Sequence, residues 1–195
     1  MQGSKIRLSP AEVALFSNAE MILTKNSILQ KTVALLAQVQ ETISENNKAY
    51  NFTSTPKISR GENYLGLPYV ILDYPRISNG NDLFFIRSMF WWGNFFSSTL
   101  HIAGTYKEKN LTSLALAYDE LAMKEFSIGV NSDPWQHHFE ETNYKDISQL
   151  SKEKFMKLLI DQLHIKIAAR WPLSEWDAAA TLLEERWKFL AGLIA

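Results

Sequence analysis

"LFFIRSMFWWGNFFSSTLHIAG", Leu83 to Gly104, is the dominant apolar stretch of the chain, and its reading decides the fold. Leu83 to Ala103 covers 21 residues, close to the ~20 that a membrane helix requires. Arg87 and His101 lie inside it, with Gly93, Asn94 and several hydroxyl residues. An Arg in mid-membrane costs roughly 2.5–3.5 kcal/mol even on an insertion scale, so a span is disfavoured. A hairpin accounts for more of the pattern. Gly93-Asn94 sits centrally between two β-prone runs, and Gly at the first turn position permits the positive φ of a two-residue hairpin loop. That turn sets Trp92 against Phe95 and Trp91 against Phe96, aromatic pairs worth ~0.2–1 kcal/mol each. One face then carries Phe84, Ile86, Phe90, Trp92, Phe95 and His101. The other carries Phe85, Arg87, Met89, Trp91, Phe96, Leu100 and Ile102. Both faces are largely apolar, so both need cover.

The surrounding sequence supplies that cover. Residues 9–45 read as helix. Ser9-Pro10-Ala11-Glu12 has the spacing of a capping box with Pro in the first turn, and Ser17-Asn18-Ala19-Glu20 repeats the signal. Ile22, Leu29, Val33, Leu36 and Ile43 then mark one helical face. Residues 51–63 are polar, broken by Pro56 and Gly61, and read as a long loop. Leu67–Tyr74 suits a strand, and Asn79–Asp82 a turn, so residues 64–104 are mainly strands. Residues 110–123 form a helix. "KEFSIGV" and "WQHHFEE", within 125–141, read as two further strands. Residues 151–193 are helical again, with Phe155, Leu159, Leu163 and Ile167 at i+4 spacing, a stop at Pro172 and a final helix capped by Ser174. Helices at both ends of an antiparallel sheet of about five strands predict a single α+β domain over residues 1–195.

Composition narrows the function classes. The chain has 195 residues, 46% hydrophobic and 21% charged, with a net charge of −1 and no basic block. Nucleic acid is therefore not an expected partner. The absence of cysteine excludes disulfides, thiolate metal sites and Cys nucleophiles, and suits a cytoplasmic protein. Six Trp and eleven Phe favour half-buried surfaces such as pocket walls and interfaces. No phosphate loop, nucleophile elbow, kinase signature or dinucleotide fingerprint is present, and no cofactor is implied.

The candidate ligand-binding residues are Arg87, His101, Trp135, His137 and His138. Arg87 lies among aromatics within a strand, where it can stack on a ring, bind an anion or pair with Asp73 across the sheet. His137 and His138 each have a carboxylate nearby, Glu141 or Glu140, which would suit a base or a metal ligand. Neighbouring histidines on a strand point to opposite faces, however, and cannot share one ion. No metal site is expected. These features point to a non-catalytic binding or protein-interaction domain, with a protein partner, a homo-oligomer or a small-molecule ligand. The alternative is a small enzyme or metal-dependent hydrolase using His137 or His138 with Glu140 or Asp73.

Overall fold

A computed structural model describes residues 5–46 and 49–194 of the chain. The protein is α+β, with an antiparallel sheet between N-terminal and C-terminal helices. Helix α1 (Pro10–Phe16) starts at Ser9, whose hydroxyl accepts from the Glu12 N–H while the Glu12 carboxylate accepts from the Ser9 N–H. This is the reciprocal cap expected from the sequence. Asn18 Oδ1 then accepts from the Glu20 N–H and opens α2 (Ala19–Asn46).

Four strands follow as a meander: β1 (Lys57–Tyr64), β2 (Leu67–Asn79), β3 (Asp82–Trp91) and β4 (Phe95–Ala103). Helices α3 (Thr105–Leu116) and α4 (Tyr118–Met123) lead to β5 (Ser127–Gly129) and β6 (Tyr144–Asp146). Helix α5 (Lys152–Asp161), β7 (His164–Pro172) and α6 (Ala179–Gly192) complete the chain. The seven strands lie in the order β1-β2-β3-β4-β7-β5-β6.

The segment Leu83–Ala103 is thus a hairpin, and no helix among the described residues is long and apolar enough to cross a membrane. Its register differs by one residue from the expected one. Trp91 faces Phe95 and Phe90 faces Phe96, because the turn takes three residues. The Asn94 N–H donates to Trp91 O at 3.1 Å, and Gly93 holds φ +70° between them. Side chains alternate along a strand, so this slip moves every β4 residue to the face opposite the expected one. Phe96, Leu100 and Ile102 join Phe84, Ile86 and Phe90 on one side, while Phe95, Thr99 and His101 join Arg87, Met89 and Trp91 on the other.

The first of these sides is the main core. Leu29, Leu36, Val39 and Ile43 of α2 pack there, with Leu183, Trp187 and Leu190 of α6 and Phe155 and Leu159 of α5. Trp187 stacks on Tyr74 at 5.8 Å between ring centroids.

Other segments depart from the sequence reading: the final helix begins at Ala179 without a side-chain cap and not at Ser174, and the helix expected from residue 110 begins at Thr105. Residues 57–63, expected in a loop, belong to the edge strand β1. Residues 164–172, expected as helix, form β7, which pairs with β4 along its length. The i+4 spacing of Leu159, Leu163 and Ile167 is a coincidence of a helix that ends at Asp161. In "HIKIAAR" the buried Ile165 and Ile167 alternate with His164, Lys166 and Ala168, which is the period of a strand. Residues 135–141, expected as a strand, belong to a loop, Val130–Asn143, whose ends meet where the Val130 N–H donates to Asn143 O at 2.7 Å.

Phe96 is fully buried under the helices, whereas Phe16 of α1 is 78% exposed. Phe96→Ala is expected to lower unfolding free energy by ~3–5 kcal/mol. Phe16→Ala should change it by less than about 0.5 kcal/mol. Denaturant titration of the two variants checks both values.

Candidate functional site

The sheet side away from the helices carries polar residues in register. Asp73, Arg87, Thr99 and Ala168 sit opposite one another across β2, β3, β4 and β7, and one step along lie Phe85, His101 and Lys166. Nearly all of them are buried. The loop 130–143 covers them, together with an apolar cluster of Ile71, Met89, Trp91 and Phe95.

A loop buried against a sheet must find partners for its backbone groups, and here sheet side chains supply several. The Tyr64 hydroxyl accepts from the N–H of His137 at 2.6 Å and of His138 at 3.1 Å. Lys166 Nζ donates to Gln136 O at 2.7 Å, and Asn143 Nδ2 donates to His138 O at 2.5 Å. Gly129 makes room for Lys166: a Cβ there would stand 3.0 Å from the lysine's Cβ and Cε. Phe139 lies on Tyr144 with centroids 4.5 Å apart, and Trp135 stands edge-on to His101 at 5.4 Å and to Phe85 at 6.1 Å. The loop is clamped by side chains in place of a strand ladder.

Arg87 is the electrostatic centre of this clamp. Its Nε and one terminal nitrogen donate to the two oxygens of Asp73 at 2.7 and 2.8 Å, and the other terminal nitrogen meets His137 Nε2 at 2.9 Å. A guanidinium has no acceptor, so His137 Nε2 must carry its lone pair toward Arg87. Burial, then the charges of Arg87 and Lys166, hold His137 well below the usual histidine range. His138 lies beside Tyr64, with Nδ1 3.2 Å from the hydroxyl. The Glu140 side chain is exposed.

Lys166 is almost fully buried. Its ammonium also donates to Asn143 Oδ1 at 3.3 Å and stands 5.0 Å over the Tyr144 ring. Burial lowers its pKa to about 8. His101 is pushed down to about 3, by burial first and then by His164, Lys166 and Arg87. The rings of His101 and His164 stand 5.5 Å apart, and Nε2 of each is buried without a hydrogen-bond partner. The nearby ammonium opposes a metal cation at this pair. Among the described residues no group of three or more His, Asp or Glu could hold a metal ion.

Of the candidate residues, Arg87 and His101 of the sheet meet Trp135 and His137 of the loop that covers them, and His138 of the same loop contacts Tyr64. The pairing of Arg87 with Asp73 is one of the arrangements that the sequence left open. Tyr64, Asn143, Lys166 and His164 were not singled out. Lys166 and His164 were hidden by the helical reading of β7, and Tyr64 by the loop assigned before residue 64.

A second feature lies outside the body. Every residue from Lys5 to Thr24 is exposed, and these include Leu8, Val13, Leu15, Phe16, Met21, Ile22 and Leu23. The segment is a helical arm of α1 and the start of α2, with apolar side chains in solvent. No protein-family model matches the chain, and neither a curated protein nor a solved structure is similar to it.

Arg87→Ala leaves a buried carboxylate uncompensated, so a loss of ~3–5 kcal/mol in stability is expected. The pH dependence has a definite sign. Unfolded His101 binds a proton near pH 6.5 and the folded form only near 3, so the unfolded state holds more protons between these values. Its share of stability is complete above pH 6.5 and is lost as pH falls toward 3, by up to ~1.4 kcal/mol per pH unit. His101→Phe should flatten that acid limb in chemical unfolding measured from pH 7 to 4. An unchanged slope would remove His101 as its cause.

Proposed function

We propose that this protein is a non-catalytic interaction domain whose contact element is the helical arm of residues 5–24. The exposure of the arm carries this reading. Monomeric proteins rarely expose contiguous apolar patches above a few hundred Å², and apolar side chains grouped on a helix suit a partner's groove. Eight large apolar residues in a twenty-residue stretch that touches solvent throughout call for a covering surface. The absence of cysteine suits work in the cytoplasm, where thiols stay reduced.

The histidine cluster supports a structural role. The His137 lone pair accepts from Arg87, both Asp73 oxygens accept from the same guanidinium, and the Lys166 ammonium has two oxygen acceptors and a ring. His137 and Asp73, two of the groups nominated for acid–base chemistry, are thus engaged in holding the loop.

A photo-cross-linking residue placed at Phe16 or Leu23, in cells of the native host, tests this reading. Adducts with protein are expected from both positions and not from exposed Lys157 on α5. Ile22→Glu should abolish the adducts. Absence of any protein adduct from the arm would overturn the reading.

A further inference from the structure

We infer that the recess between α2, the β3–β4 turn and the segment before α6 is a binding site for a small aromatic carboxylate. The site is separate from the arm, and the inference stands independently of the interaction reading above. Its shape and the one-sided chemistry of its polar groups carry it.

Ile28 of α2, Phe90 and Trp92 of the hairpin, and Leu173 and Trp176 of the short helical segment Leu173–Ala178 enclose a space of about 490 Å³. Small-molecule sites are mostly apolar, largely pre-formed and ~300–1,000 Å³ in volume. The walls here are held from behind. The Trp92 N–H donates to Pro68 O at 3.0 Å, and Trp92 O accepts from Asn94 Nδ2 at 2.9 Å. The Trp92 ring stands edge-on to Phe90 with centroids 6.2 Å apart, and Trp176 packs on the buried Phe96 at 5.9 Å. Aromatic walls favour a flat ring, which can meet them edge-to-face or offset.

The polar side-chain groups around this space are all donors. They are the ammonium of Lys31 and the indole N–H groups of Trp92 and Trp176, and no lining side chain carries an acceptor. Among the described residues the Lys31 ammonium has no ion-pair or hydrogen-bond partner. Its own helix offers none, since Ser27, Ile28, Ala34 and Leu35 are the residues three and four positions away. The indoles of Trp91 and Trp187 donate to backbone carbonyls, whereas those of Trp92 and Trp176 have no protein acceptor.

An uncommitted cation and two neutral N–H groups beside an apolar space suit one negative charge on an apolar body. The lining holds no Arg and no second cation, of the kind that a phosphate gathers. A recess between α3 and α5 shows the contrast. Leu116, Met156 and Ile160 make it apolar, but Lys152 and Lys157 are matched there by Glu153 and Asp161, so it favours neither sign.

Titration of the full chain with naphthoate, a flat aromatic carboxylate, checks the site. Calorimetry should give a Kd on the order of 0.1 mM, in keeping with so few non-hydrogen atoms. In NMR spectra the indole N–H signals of Trp92 and Trp176, identified with Trp92→Phe and Trp176→Phe, should move. That of Trp135, in the loop on the opposite side of the sheet, should stay still. Lys31 is exposed, so Lys31→Met should leave the unfolding midpoint unchanged, and it should weaken naphthoate roughly fivefold. Naphthylmethylammonium, with the same ring and the opposite charge, should not bind. An unchanged naphthoate Kd in Lys31→Met, or equal binding of the two probes, overturns the inference. So does a millimolar naphthoate titration that leaves the Trp92 and Trp176 signals in place.

Discussion

The pairing of Trp91 with Phe95 is the constraint on which the rest of the structure depends. It opens an unbroken register between β3 and β4, from Trp91 and Phe95 to Leu83 and Ala103. Through β7 on the far side of β4, and β2 on the far side of β3, the same register spreads across the sheet. A slip of one residue would turn Leu100 and Ile102 toward Arg87, and would drive Thr99 and His101 into the packing surface of α2 and α6. Two polar side chains would then enter the apolar core and two aliphatic ones would leave it, the latter at a cost of order 1–3 kcal/mol each. Gly93 takes φ +70° in the three-residue turn, and packing on the two sides of the sheet selects this register over the neighbouring one.

With the register fixed, the second side of the sheet is polar at its centre, and polar groups under cover need partners. The loop 130–143 meets that need in both directions. It brings backbone N–H and C=O groups that have no ladder of their own, and it finds Tyr64 and Lys166 of the sheet waiting for them, while its own Asn143 closes on His138 O. The electrostatics follow from the same geometry. Asp73 offsets one of two buried cations, and the histidines around them stay neutral because a further positive charge has no place there. Arg87 fixes a tautomer as well, since its N–H leaves His137 only the role of acceptor. One guanidinium thereby joins β2, β3 and the loop.

Much of this architecture was legible in the sequence, and the exceptions have physical causes. The capping box at Ser9, the α2 stripe, the strand at Leu67–Tyr74 and the central hairpin all carry local signals that the fold obeys. Non-local information was missing elsewhere. A Gly-Asn turn can hold two residues or three, and only packing on both sides of the sheet decides which. The two-residue choice placed His101 with Phe84 and Ile86, on the wrong side from Arg87, so the clamp could not be assembled on paper. In residues 159–167 a helical spacing overlapped an alternating one, and the strand won because β4 needed a neighbour. "WQHHFEE" alternates like a strand, yet its backbone bonds go to side chains on other strands, which no pattern in the segment announces.

The arm follows from a different imbalance. The core closes without it: α2 from Leu29 onward, α5 and α6 cover the helix side of the sheet, and α1 buries no residue at all. A helix of seven residues is far below the ~12–15 that hold together alone in water. Its cap at Ser9 contributes about 1 kcal/mol, less than the cost of ordering its backbone. On the interaction reading proposed above, the packing that offsets this cost would come from a partner's surface, so that ordering of α1 and docking of the arm would form one event. The same apolar stripe thus changes setting along one helix, buried and fixing the fold where the sheet lies beneath it and exposed where the sheet has ended.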